Sequence, residues 1–295
     1  MSSGLKNYLR RLLLGYRFKE GLQEDHRVLG RLGNQHYLEL YPGLLAPGSG
    51  PEINAYEFSR FSQNGEDGII LFLASRTGVD RHFIVEIGTE DGRECNSANL
   101  ILNYGWQGLL IEASKKWTEK GKLYFAEQAA SNRTMIINQK VTPSNVNEIL
   151  YHGKAPNDLD ILSIDIDSYD YWVWEAVDGY NPKIVIIEYN ASFGPCRSVT
   201  IPKDALEDNQ NYPSYYHGAS LVALKKLGEG KGYDLLGCDS HGVNSFFVRK
   251  DLTKSTGFQA QEPDKVFRKH FRRSRRKTVE QQFQEIAHLP LVEID

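Results

Sequence analysis

Five oxygen-bearing side chains fall into two short runs: Asp165, Asp167 and Asp170 in SIDIDSYD, and Glu188 with Asn190 in IIEYN. Each run closes an apolar stretch (160–167 and 183–189) that reads as a buried strand. Neighbouring parallel strands release their last residues at one edge of a sheet, so these groups can converge on a point. Hard oxygen ligands of this kind suit Mg²⁺ or another divalent cation, with waters completing the shell. Asp165, Asp167, Glu188 and Asn190 are the expected metal ligands. The chemistry such a cation supplies is activation of an alcohol, a poor nucleophile until it loses its proton. A plainer alternative stays open, in which Asp165 contacts an organic cofactor while Asp167 and Asp170 cap the helix that follows. His241, in the loop 239–244, is a candidate general base or a substrate-contact residue, and completes the expected catalytic set with Asp165 and Asp167. His217 is a rival base.

A second constellation is HFIVEIGTEDG over 82–92. Its apolar run ends in Glu86 and breaks into a turn carrying Gly88 and Gly92. Glycine at 88 lets a ligand approach the backbone. Neither G-x-G-x-x-G nor G-x-x-x-x-G-K-[ST] occurs, so the turn does not advertise a pyrophosphate. An acidic strand end favours a ligand with an amino group and sugar hydroxyls, such as S-adenosylmethionine. Glu112, which closes WQGLLIEA about 20 residues beyond the glycine turn, is placed to bind ribose hydroxyls.

These groups require alternating elements to hold them. Strands are expected at 83–86, 106–113, 134–140, 160–167, 183–189, 233–238 and 245–249. Helices are expected at 58–73 (capped by Ser62), 96–104, 115–129, 145–151, 171–177 and 219–227. Five βα units followed by an antiparallel pair make an α/β, Rossmann-like sheet. The insertion 191–217 carries Phe193, Arg197, Tyr212, Tyr215, Tyr216 and His217, suited to stacking on a sugar, or to forming a lid or dimer contact. Tyr215, Tyr216, His217 and Asn244 are the expected acceptor-binding residues.

The chain has 295 residues, 25% charged and 40% hydrophobic, with net charge −3. That balance fits a globular protein and gives no whole-molecule sign of nucleic-acid binding. Cys95, Cys196 and Cys238 form no metal or redox spacing, and reduced cytoplasmic thiols are expected. No apolar run reaches the roughly 20 residues of a membrane span, and Leu12–Leu14 is too short for a signal peptide. Residues 5–17 place leucines and tyrosines on one helical face and Lys6, Arg10, Arg11 and Arg17 opposite. They read as a helix on anionic lipid, or as one packed on the domain or a second subunit. A loop-like lead-in follows over 21–55. The basic run 268–277 (RKHFRRSRRK) either contacts phosphates or lipid, or is a solvated face. The expected division is 1–54, a main domain over 55–250, and a basic extension over 251–295. The expected location is cytoplasmic, with peripheral contact at the inner face of the membrane through the two basic segments.

Six segments together carry a family resemblance: FSQNGEDGII, VEIGTEDG, SIDIDSYDYWVWEA, IIEYN, GASLVAL and DSHGVNSFFV. In order and spacing they resemble the FkbM-like class I S-adenosylmethionine-dependent methyltransferases, over residues 55–250. The resemblance implies a seven-stranded sheet in the order 3-2-1-4-5-7-6 with the last strand antiparallel. It implies that Glu86 and Gly88 lie under the methionine portion of the cofactor with Asp91 nearby, and that Glu112 binds ribose. It places residues 139–141, beginning with Gln139, beside the adenine and Gln63 and Asn64 at the methionine carboxylate. The activity implied is O-methyl transfer to a sugar hydroxyl of a surface glycan or natural product. Two other readings stay open: metal-independent methylation of an amine or small molecule, and a non-catalytic partner in glycan assembly.

Overall fold

The computed structural model describes residues 52–205 and 212–295. By its contacts the chain divides into Met1–Ser49 and Gly50–Asp295, and every described residue belongs to the second unit. The helix expected over 5–17 lies outside the described residues, as does the lead-in up to residue 51.

Strands β1 (Phe83–Ile87), β2 (Gln107–Glu112), β3 (Thr134–Asn138), β4 (Ile161–Ile164) and β5 (Ile184–Glu188) are parallel neighbours in the order β3-β2-β1-β4-β5. ILSI in β4 and IVIIE in β5 are buried at every position, as a strand covered on both faces must be. β7 (Tyr233–Cys238) and β8 (Asn244–Arg249) complete the sheet as β5-β8-β7, with β8 antiparallel to both neighbours. The expected topology is therefore present. An extra short strand, β6 (Val199–Thr200), shifts the numbering of the last pair by one.

Six helices cover this sheet: α1 (Glu66–Thr77), α2 (Ala98–Tyr104), α3 (Lys115–Glu127), α4 (Val146–His152), α5 (Asp170–Ala176) and α6 (Leu221–Lys231). Large apolar side chains join the layers. Trp174 of α5 lies 4.9 Å from the Phe247 ring of β8, and both are fully buried. Each such burial contributes on the order of 2–3 kcal/mol.

α1 starts at Glu66 rather than near residue 58. Residues before it are drawn into a turn by Asp67, whose Oδ2 accepts the amides of Arg60, Phe61 and Ser62 at 2.7, 2.6 and 3.0 Å. The Ser62 hydroxyl caps the Asp67 amide in return, at 3.0 Å.

Beyond β8 come α7 (Lys250–Thr256), α8 (Pro263–Val266), α9 (Val279–Gln284) and β9 (Val292–Glu293), which pairs with β6. The segment expected as an extension is thus woven into the insertion 191–217. Phe193, Ile201, Tyr216 and Ile286 form a small second core between them. Burial of these four explains why neither segment stands apart.

Candidate cofactor and acceptor site

β1 and β4 are neighbours, but β1 is flanked by β2 and β4 by β5, so the connections leave in opposite directions and a crevice opens at their C-terminal ends. A cleft of about 460 Å³ lies there. Gly88 stands at φ +85°, and a Cβ on it would sit 1.7 Å from the Asp165 carbonyl oxygen. Only glycine lets β1 turn this close to the end of β4. Two non-glycine residues at the cleft are also left-handed: Glu90 at φ +46° and Asp167 at φ +52°. Such conformations cost about 1–3 kcal/mol and gather at functional sites.

At one end of the cleft Glu112 closes β2. Its Oε2 accepts the Glu90 amide at 2.9 Å and its Oε1 the Ser114 amide at 2.6 Å. A carboxylate has about four acceptor positions, so Glu112 is fixed while keeping acceptor capacity towards the cleft it lines. Gln139 and Lys140 lie at this end too. Gln63, Asn64, Gly88 and Asp165 line the same cleft. Glu66 holds Asn64 in place by accepting its amide at 2.7 Å.

Two expected cofactor residues stand elsewhere. Glu86 is buried beneath the start of α2, where it accepts the amides of Asn96 and Ser97, each at 2.8 Å. Burial pushes its pKa up and those bonds oppose the rise. It shapes the turn and does not line the cleft. Asp91 faces Arg93, 3.7 Å away.

At the other end the expected metal ligands are rearranged. Asp167, Glu188 and His217 bring one ligand atom each within 4.8 Å of one another. His217 Nδ1 lies 3.8 Å from Glu188 Oε2 and 4.0 Å from Asp167 Oδ1. These are not ion pairs: burial first, and then Arg273 and His270, push the His217 pKa down to about 3, so the ring is neutral. Both His217 nitrogens and Glu188 Oε2 are buried without a hydrogen-bond partner among the described residues. Buried polar atoms are normally satisfied, and these three orphaned atoms belong to a group that could hold a metal ion. A neutral imidazole with two carboxylates suits a divalent transition ion better than Mg²⁺, which prefers an all-oxygen shell.

Asp165 contacts this group through Glu188; burial first, and then nearby carboxylates (Asp170 and Asp167 beside Asp165, Asp165 and Asp167 beside Glu188), raise the pKa of both carboxyls. Asn190 is engaged with the backbone. Its Oδ1 accepts the Ser192 amide at 3.0 Å, and its Nδ2 donates to the carbonyls of Tyr215 and His217. Asp170 is likewise occupied, accepting the amides of Ile166 and Ser168.

The expected acceptor residues divide. His217 faces the acids. Tyr216 is a core residue whose hydroxyl donates to the Pro290 carbonyl at 2.6 Å. Asn244 is a strut, donating to Glu66 Oε1 at 2.9 Å, and Tyr215 does not line the cleft. His241 does line it, with its ring edge-on to Phe271 at 5.1 Å. Residues not anticipated there are His270, Phe271, Arg272 and Arg273. Their charge run was visible in the sequence, but the bonds that return it to the cleft join residues far apart in the chain.

The sheet is that of the class I methyltransferase fold. No family model and no curated protein matches the chain. Solved structures similar to it include an O-methyltransferase from Bacillus cereus in complex with S-adenosylhomocysteine, at 14% identity over 72% of this chain and 87% of that one, TM-score 0.40. Another is an O-methyltransferase of tomaymycin synthesis from Streptomyces achromogenes in complex with S-adenosylmethionine, at 13% identity over 72% and 96%, TM-score 0.40. A third is a magnesium protoporphyrin IX methyltransferase from Synechocystis with bound S-adenosylmethionine, at 14% identity over 62% and 77%, TM-score 0.41. The fold assignment rests on this chain's own strand order. Among the described residues no helix is long and apolar enough to cross a membrane, and all three cysteines are free.

Proposed function

We propose that this chain is an S-adenosylmethionine-dependent O-methyltransferase acting on a sugar hydroxyl, with a divalent cation held by Asp167, Glu188 and His217. The observation that carries the reading is one cleft with a fixed carboxylate, Glu112, at one end and, at the other, Asp167 and Glu188 with the orphaned His217 ring behind them. Bound S-adenosylmethionine supplies an electrophilic methyl group. A divalent cation at the donor set lowers the pKa of an alcohol.

The chain's own residues do the rest. Glu112 orients the ribose, Gln139 borders the base, and Gln63 and Asn64 face the amino-acid end. Asp167, exposed at 80% of its side chain, meets the acceptor first. His241 stands at the mouth to take the hydroxyl proton. Alignment of nucleophile and methyl group is the main contribution expected of such a site.

A metal-free reading has one observation in its favour: the Arg273 charge partly offsets the burial and carboxylate repulsion that raise the Glu188 pKa. Titration calorimetry with S-adenosylhomocysteine, with and without Mn²⁺ or Mg²⁺, tests both. Binding that is lost in Glu112→Ala supports methyl transfer. No binding under any condition overturns it in favour of a non-catalytic role. Activity that survives a chelator overturns the metal.

A further inference from the structure

The wall of the cleft facing the acids is made by the C-terminal segment, and it is built in rather than draped. Tyr189, buried just past β5, donates its hydroxyl to the Arg268 carbonyl at 2.5 Å and accepts the Arg268 amide at 3.1 Å. The Phe271 amide donates to the His241 carbonyl at 2.8 Å. A Cβ on Gly242 would stand 2.5 Å from the Arg268 carbonyl oxygen, so the segment lies directly on the β7–β8 turn. The Ser274 amide then bonds the His270 carbonyl at 2.9 Å and starts the short 3-10 turn Arg273–Arg275.

This fixed backbone presents Arg272 and Arg273 to the cleft. Asp165, Asp167 and Glu188 line the same space, yet no ion pair within 4.0 Å joins either arginine to an acid among the described residues. Arg273 makes one long contact, Nη1 to the Asn190 Oδ1 at 3.4 Å. The Arg272 side chain makes no hydrogen bond among the described residues and is exposed. Burial first, and then Arg273, push the His270 pKa down to about 4, so the charge of the wall is that of the two guanidinium groups. Each guanidinium offers five donors in a fork that matches phosphate oxygens. Two such forks with unused donors, on a backbone held in place, are a recognition surface for a dianion.

We propose that the acceptor is a phosphate-bearing sugar, and that Arg272 and Arg273 bind its phosphoester while its hydroxyl faces Asp167 and Glu188. This rests on the methyl-transfer reading above for the role of the acids. A phosphoester reaches such a site on a nucleotide-linked sugar or on a lipid-carried one, and the chemistry read by the arginines is the same.

The test uses the full chain saturated with S-adenosylhomocysteine. It is titrated with inorganic phosphate, with uridine diphosphate, and with phosphatidylcholine vesicles containing phosphatidic acid. Glucose is the uncharged control. Phosphate is expected to bind, glucose not, and Arg272→Gln to weaken phosphate binding about tenfold, the value of one charge-assisted contact. Arg272 touches no partner, so this variant keeps the fold, and Arg272→Lys is expected to restore part of the loss. Tighter binding of uridine diphosphate assigns the nucleotide source, and tighter binding of the vesicles the lipid source. Equal phosphate binding by wild type and Arg272→Gln, or none by wild type, overturns the proposal. So does a parallel loss of S-adenosylhomocysteine affinity in Arg272→Gln, which would assign the arginine to the cofactor's own carboxylate. Failure of wild type to bind S-adenosylhomocysteine is a separate result that overturns the methyl-transfer reading and with it the role of the acceptor, while the same titrations of the unliganded chain still decide whether Arg272 and Arg273 bind a phosphoester.

Discussion

Asn190 donates from Nδ2 to the main-chain carbonyl of His217 at 2.8 Å and to that of Tyr215 at 2.7 Å. A residue at the end of β5 thereby fixes the loop that brings an imidazole to the acids. Asn190→Ala removes both bonds and leaves two buried carbonyls unsatisfied. Divalent-cation affinity is expected to fall roughly 10–100-fold, the usual effect of losing an outer-shell partner. Calorimetry with Mn²⁺ measures it. An unchanged affinity would remove His217 from the ligand set.

Glu112→Ala is expected to weaken S-adenosylhomocysteine binding by about 10–100-fold, corresponding to roughly 1.5–3 kcal/mol for hydrogen bonds to a charged group. Glu86→Ala is expected to behave differently. It frees two buried amides at the start of α2, so melting temperature falls first and affinity follows. Thermal denaturation and titration of the two variants side by side separate a ligand-binding acid from a fold-holding one.

Gly88→Ala places a methyl group 1.7 Å from a backbone oxygen at a φ of +85°. Nothing nearby can yield except the ends of β1 and β4. A loss of about 2 kcal/mol or more is expected from overpacking and backbone strain together. Urea unfolding checks it.

Asp67 provides one part of the pH dependence, beside Asp170 and Asp239, whose carboxyls burial also raises to about 6 and about 7. Burial raises its pKa to about 6 from the ordinary 3.8, against the three amide bonds that favour the charged form. The folded chain therefore holds this proton more tightly than the unfolded chain. The stability it contributes is fully present below about pH 4 and is lost as pH rises through 6. Asp67→Asn keeps an acceptor for the three amides but cannot titrate. Unfolding free energy measured at pH 5 and pH 7.5 should differ less in the variant than in wild type. Equal differences would mean that Asp67 is not the group responsible.

The central strands were legible because covered parallel strands are continuous apolar runs, as in KIVIIEY and DILSI. Glu112 and Gly88 were legible because their positions follow from strand ends. The start of α1 was misjudged because Phe58 and Phe61 extend the apolar pattern backwards, while the turn that excludes them depends on Asp67. The candidate donor set is half legible. Asp167 and Glu188 stand where adjacent strands end, but His217 arrives through an irregular insertion held by Asn190. RKHFRRSRRK has no apolar period, so its place over the cleft could only come from Tyr189 and the Gly242 turn.

The bond between Tyr189 and Arg268 also sets a sequence in time. The ribosome makes β1 to β5, with Gly88, Glu112 and the acids, well before residues 268–273 exist. The strand ends that floor the cleft therefore exist before the residues that wall it. A chain stalled after β8 would lack His270, Phe271, Arg272 and Arg273, and with them that wall. Floor and wall are made in succession by one growing chain, and the buried phenol of Tyr189 is the latch that joins the second to the first.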